Sequence, residues 1–138
     1  MNDRLRIPQD PDYFHSLGLA AIAFARLEWN AVWCCERLSN GYIQTIERDK
    51  KTAGRIARDL ESLFQRVQDV TLKAKALPLA SRFIDLVDER NGLMHGKPGT
   101  SGTGDQRLFR GGREWTIQEI DFFADECVRA ASPLNSLL

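Results

Sequence analysis

Residues 12–38 carry an unbroken helical period. Phe14, Leu17, Ala21, Phe24, Glu28, Ala31, Cys35 and Leu38 follow one another at spacings of three and four, and Tyr13, Ala20, Leu27 and Cys34 widen the stripe. That spacing is one face of an α-helix. At 1.5 Å per residue such a run is about 40 Å long. A helix of that length with one apolar side has to be covered by others of similar reach, which points to an all-α bundle. Ser39-Asn40-Gly41 then supplies a stop, since Gly or Asn accepts the left-handed cap.

The rest of the chain reads the same way. A second helix is expected over about 46–75, with Ile56, Leu60, Leu63, Phe64, Val67 and Val70 inward. Its charges Lys50, Lys51, Arg55, Arg58 and Arg66 form either a solvated face or a phosphate-binding flank. Pro78 suits the first turn of a third helix, in which Leu79, Phe83, Leu86, Val87, Arg90 and Met94 keep the period until Gly96 and Pro98 end it. Residues 96–112 lose all period. The runs 107–110 and 113–115, separated by Gly111-Gly112, form either a small hairpin or a flexible loop. Thr116-Ile117-Gln118-Glu119 has the form of a capping box. It opens a last helix with Ile117, Ile120, Ala124, Cys127, Ala131, Leu134 and Leu138 inward and Pro133 in its last turn. The expected fold is one domain, 1–138, all-α: a four-helix up-and-down bundle with a loop or short hairpin before the last helix.

Composition narrows the function. Lys plus Arg and Asp plus Glu each number 19, so the formal net charge is zero. This argues against a protein that coats nucleic acid through overall positive charge, though not against a local basic site. No apolar stretch is long enough to span a bilayer, and the charged start MNDRLRIPQD has no apolar leader core. A cytoplasmic protein without membrane contact is expected. Cys34 and Cys35 diverge on a helix, and neither they nor Cys127 sit at metal-ligand spacing, so no metal site is expected and all three read as small buried hydrophobes. The glycine-rich loop lacks the G-x(4)-G-K-[ST] pattern of a phosphate cradle, and no cofactor is called for. Trp29, Trp33 and Trp115 are core or interface residues, or else stacking surfaces for bases.

Two charges interrupt apolar stripes. Glu28 falls on the inward face of the first helix and Arg90 on that of the third. An unpaired buried charge costs several kcal/mol, so the two are expected to meet, directly or through His95 or a water. They form a register-fixing ion pair or a polar site, unless one of the stripes is misplaced and the side chain reaches solvent. His95 ends the third helix before Gly96. Histidine there is an ordinary capping residue, and it is also the side chain suited to proton transfer near neutral pH. Residues five apart on an ideal helix differ by about 140° in direction. Arg90 and His95 therefore converge on one target only if the helix breaks near Gly92 or a second copy supplies the missing partner.

The segment Glu89-Arg90-Asn91-Gly92-Leu93-Met94-His95-Gly96 resembles the signature of the HEPN superfamily, small helical bundles with an R-x(4–6)-H motif and often a polar residue after the Arg. The surroundings are also similar: a long first helix containing Arg26-Leu27-Glu28, a basic second helix, the motif ending the third, a loop, and a last helix opened by Trp115-Thr116. The resemblance implies a metal-independent endoribonuclease of toxin or defence type, acting as a homodimer with both motifs on one cleft. His95 would be the general base or acid, Arg90 would hold the scissile phosphate, and Asn91 would orient the phosphate or His95. Cleavage would leave a 2′,3′-cyclic phosphate. Glu28 is a candidate support for Arg90 or His95. Lys97, Arg107, Arg110 and Arg113 are either an RNA-binding patch or solvated loop charges. The other function class is a non-catalytic HEPN-like dimer that binds a partner protein, such as an antitoxin, or a nucleotide.

Overall fold

Aspartate 10 starts the first helix. Its carboxylate accepts the Tyr13 amide at 3.1 Å, Pro11 takes the first helical position, and α1 runs Pro11–Leu38. The computed structural model describes all residues 1–138. A short 3₁₀ turn, Asp3–Arg6, precedes α1. After α1 the chain turns at Gly41, whose φ of 92° is left-handed. Glu36 reaches across this turn and accepts the amides of Gly41 at 2.6 Å and Ile43 at 2.9 Å. It thereby satisfies free N–H groups at the start of α2, Tyr42–Arg48.

The single helix expected over 46–75 is instead three pieces: the end of α2, then α3, Ala53–Gln65, then the start of α4, Val70–Met94. Two N-caps divide it. Thr52 accepts the Arg55 amide, and Asp69 accepts the Leu72 amide. A cap of this kind is worth about 1 kcal/mol. Lys50 adopts a left-handed φ of 50° in the first break. Pro78 does not begin a helix either; it lies inside α4 with its ring exposed. A proline costs a helix interior about 3 kcal/mol. Burial of Ala76, Ala80, Phe83, Leu86, Val87 and Leu93 on one face of α4 outweighs that cost.

The segment 96–112 is a sheet rather than a loop. Strands β1 (Lys97–Thr100), β2 (Gln106–Arg110) and β3 (Arg113–Glu114) pair antiparallel in that order, with Lys97 opposite Phe109 and Arg110 opposite Arg113. Gly111 and Gly112 both have positive φ, the requirement of a two-residue hairpin turn. The last helix, α5, covers Ile117–Leu137. Its capping box is half made. Thr116 accepts the Glu119 amide at 3.1 Å, but the Glu119 carboxylate turns to Arg113 at 3.3 Å.

Helices α1 and α5 pack side by side and run parallel. Tyr13 bonds the Trp115 carbonyl, Asn30 the Ala131 carbonyl and Arg37 the Leu138 carbonyl, so both helices advance together. Helix α4 opposes α5, with Arg82 paired to Glu126 and Glu89 near Trp115 across one groove. The chain is mostly helical, as expected, but five helices and a small sheet stand where four long helices were read, and the first and last are parallel neighbours. Phe24 sits between Phe83 and Phe123, with ring centroids 6.3 and 6.4 Å apart, where α1, α4 and α5 meet. Cys34, Cys35 and Cys127 are free and buried in this core, and burial pushes their thiols up to about 11, 12 and 12. No helix is long and apolar enough to cross a membrane.

Tyr13 fastens the sheet to the bundle. Its hydroxyl donates to the Trp115 carbonyl at 2.7 Å and accepts the Leu108 amide at 3.2 Å. Tyr13→Phe strands both backbone groups, so urea unfolding should show a loss of about 1–3 kcal/mol. An unchanged midpoint would mean that water replaces the hydroxyl.

Candidate functional site

Helix α4 continues through Gly92 to Met94 without a break, and His95 caps it. The His95 amide donates to the Asn91 carbonyl at 3.0 Å, and the Gly96 amide to the Leu93 carbonyl at 3.1 Å. Of the two routes that would bring Arg90 and His95 together, a broken helix is therefore excluded. The His95 side chain is exposed and makes no hydrogen bond within the chain. One turn earlier, Arg90 is half-buried. Its guanidinium lies 5.0 Å from the centre of the Phe24 ring and donates to the Asn91 side-chain oxygen at 2.9 Å. Asn91 thus clasps Arg90, rather than His95, within one chain. A guanidinium held over an aromatic face keeps its direction at little entropic cost.

Glu28 does not form the direct ion pair with Arg90 that the two stripes suggested. The pair shares one region, since the Arg90 charge acts on the carboxylate, but burial dominates and holds the Glu28 carboxyl above its usual range. The sign follows from proton linkage. The folded chain keeps a proton that the unfolded chain has lost, so stability falls as pH rises from the ordinary carboxylate value through the raised one. Glu28→Gln should therefore be more stable than the parent above this window and equal to it below, as measured by urea midpoints at neutral and acidic pH. A variant less stable at neutral pH would show that attraction to Arg90 outweighs desolvation.

The four basic residues named from the loop separate by environment. Arg107 is built into the fold. Its side chain is 13% exposed, bonds Asp10 at 2.8 Å, lies 3.7 Å from Asp105 and 3.9 Å from Glu114, and covers the Tyr13 ring at 4.4 Å. Arg113 pairs with Glu119. Lys97 and Arg110 are exposed and pair with no carboxylate. Arg110 packs on Gly92, where an added Cβ would overlap its guanidinium, so the hairpin holds a cation directly against the motif turn. A glycine in the last turn of an otherwise regular helix was the one sequence signal of this contact.

The outer face of α1 carries a second feature, of which the sequence indicates only Trp29 and Trp33, as core, interface or stacking residues; the core alternative does not hold for them. Ile22 is 63% and Trp29 50% exposed, with Leu19, Trp33 and Phe14 also uncovered, and Trp29 and Trp33 meet edge to face at 6.1 Å. Part of the first stripe was misplaced: the core side is Tyr13, Ala20, Phe24, Leu27, Ala31 and Cys34, while Phe14 and Ala21 face outward. No group of three or more His, Cys, Asp or Glu residues converges as a metal site. No family model, no curated protein and no solved structure matches this chain.

Proposed function

We propose that this chain is a HEPN-like endoribonuclease that cuts RNA at a cleft between two copies, without a metal ion. The observation that carries the reading is the unbroken α4 turn. It holds Arg90 against Asn91 and Phe24 and leaves His95 free in solvent at the helix end. A phosphodiester needs both a cation and a proton-transfer group, and a second copy brings the missing one. The exposed apolar side of α1 supports that pairing, because contiguous uncovered apolar surface marks an interface.

The chemistry follows from those groups. One His95 imidazole takes the proton of the RNA 2′-hydroxyl, and the 2′-oxygen attacks the adjacent phosphorus. Arg90, presented by Asn91, stabilises the added negative charge on the phosphoryl oxygens. The bond to the 5′-oxygen breaks, and that oxygen takes a proton from the other copy's imidazole. The products are a 2′,3′-cyclic phosphate and a 5′-hydroxyl. Glu28 lies close enough on the α1 side for the Arg90 charge to act on its carboxyl, against the larger effect of burial. Lys97 and Arg110 are the free cations placed to guide the strand. Such an enzyme acts on cytoplasmic RNA in a toxin or defence role, and an antitoxin would cover the same cleft.

The test is incubation of purified protein with total RNA in EDTA. Cleavage with cyclic-phosphate ends supports the reading; intact RNA overturns it. The zero net charge favours a second reading, a non-catalytic helical dimer that binds a partner protein or nucleotide. Intact RNA together with a stable dimer would select it.

A further inference from the structure

A cleft of about 340 Å³ opens between the α1–α2 corner and α3. It lies away from the motif turn: Arg90 stands over Phe24, and Ser39, on the cleft, is about 22 Å further along α1 at 1.5 Å per residue. Asp59, Ser62, Leu63 and Arg66, one stripe of α3, form a wall, and Lys51 comes in from the break before α3.

The charges there do not balance. The Lys51 side chain is 7% exposed, and its ammonium lies 3.1 Å from Asp59 and 4.1 Å from the centre of the Tyr42 ring. Asp59 is shared three ways. One carboxylate oxygen accepts the Tyr42 hydroxyl at 2.7 Å as well as facing Lys51, and the other accepts from Arg55 at 3.0 Å. Burial raises the Asp59 carboxyl, but those three donors outweigh it and hold the group below its usual range. Glu36, at the Gly41 edge, is occupied by the amides of Gly41 and Ile43. Three cations, Lys51, Arg55 and Arg66, thus stand at or beside the cleft with one ionised carboxylate, and Arg66 has no ion-pair partner. The side chains of Asn40 and Ser62 line the same space, exposed and without a partner in the chain.

Charge and geometry decide what such a cleft accepts. A cation is repelled. A neutral ligand leaves a largely buried ammonium with only a shared carboxylate, and uncompensated charge in such a place is costly. A carboxylate ligand brings two oxygens in one plane. A phosphate brings a larger charge and oxygens spread over a tetrahedron, which suits donors that arrive from three separate segments.

We infer that this cleft binds a phosphate group, with Lys51 and Arg66 holding its charge and Ser62 and Asn40 as further donors. The basic residues of 50–66 are thereby divided: Lys51 and Arg66 face the phosphate, Arg55 holds Asp59, and Lys50 and Arg58 stay at the surface. The site does not rest on the nuclease reading. Its phosphate belongs either to an RNA strand that runs on from the motif turn or to a free phosphate ester.

The test titrates inorganic phosphate into the full chain at fixed ionic strength and follows the backbone amide resonances. Phosphate is expected to shift Asn40 and Ser62 saturably, and acetate or chloride is not. Arg66→Gln, at an exposed position, should weaken phosphate binding about tenfold with an unchanged unfolding midpoint. Lys51→Met should abolish binding; it is read against its own unfolding midpoint, and Arg66→Gln carries the test if that variant does not fold. No saturable shift, equal shifts from acetate, or full affinity in Arg66→Gln would overturn the site. A 2′-O-methyl oligoribonucleotide, which has no 2′-hydroxyl to attack, separates the two sources. A strand displaced by inorganic phosphate assigns the site to the RNA backbone, whereas a strand indifferent to phosphate, with 5′-AMP competing instead, assigns it to a free phosphate ester. None of these readings involves cleavage, so the site and the nuclease are tested separately.

Discussion

His95→Ala is expected to lower RNA cleavage by about 10²–10⁴, the usual contribution of a positioned acid–base group, with no change in helix content or stability. The side chain is exposed and bonded to nothing in its own chain, and exposed sites of that kind shift stability by less than about 0.5 kcal/mol. Arg90→Ala should match the loss of cleavage but not the silence in stability. It removes a cation over Phe24 and leaves the Asn91 oxygen unclasped, so urea unfolding should register about 1 kcal/mol. Arg90→Lys restores the charge without the planar fork, and most of the rate should stay lost. Cleavage that survives His95→Ala in protein of verified purity would remove the imidazole from the chemistry.

The second large effect concerns α1. Ile22→Glu combined with Trp29→Glu places two charges on its uncovered apolar face. Sedimentation should then show a monomer in place of a dimer, and cleavage should fall as far as in His95→Ala, although neither residue belongs to the motif. Burying each charge unpaired in an interface costs several kcal/mol, enough to dissociate most dimers. The isolated chain should keep its unfolding midpoint, because both side chains already face solvent. A variant that remains dimeric would place the interface elsewhere, and a monomer with full activity would show that one chain suffices.

Much of the fold was legible in the residues, and the errors have physical sources. The period over 12–38 located α1 to within one residue of its start, because Asp10 and Pro11 reinforce what the pattern says. The pattern over 46–75 was helical throughout, so two breaks went unseen. Thr52 and Asp69 cap helices only if the chain turns there, and the turn is decided by what α3 and α4 pack against. The local preference of Pro78 is a helix start, and burial along α4 overrides it. The hairpin at Gly111-Gly112 was visible as an alternative; its third strand, β1, was not, since Lys97–Thr100 has no strand pattern of its own and pairs because β2 is there.

The candidate site divides along the same line. Chemistry-bearing residue types, their spacing of five and the helix end beneath them are properties of the sequence, because helical periodicity and capping act over a few residues. Tertiary structure alone decided that Glu28 and Arg90 are neighbours without being an ion pair, and that Arg107 is consumed by Asp10 while Arg110 rests on Gly92. It also decided which side of α1 is left bare. Those outcomes depend on distances between elements far apart in the chain, which are set by how the whole core packs.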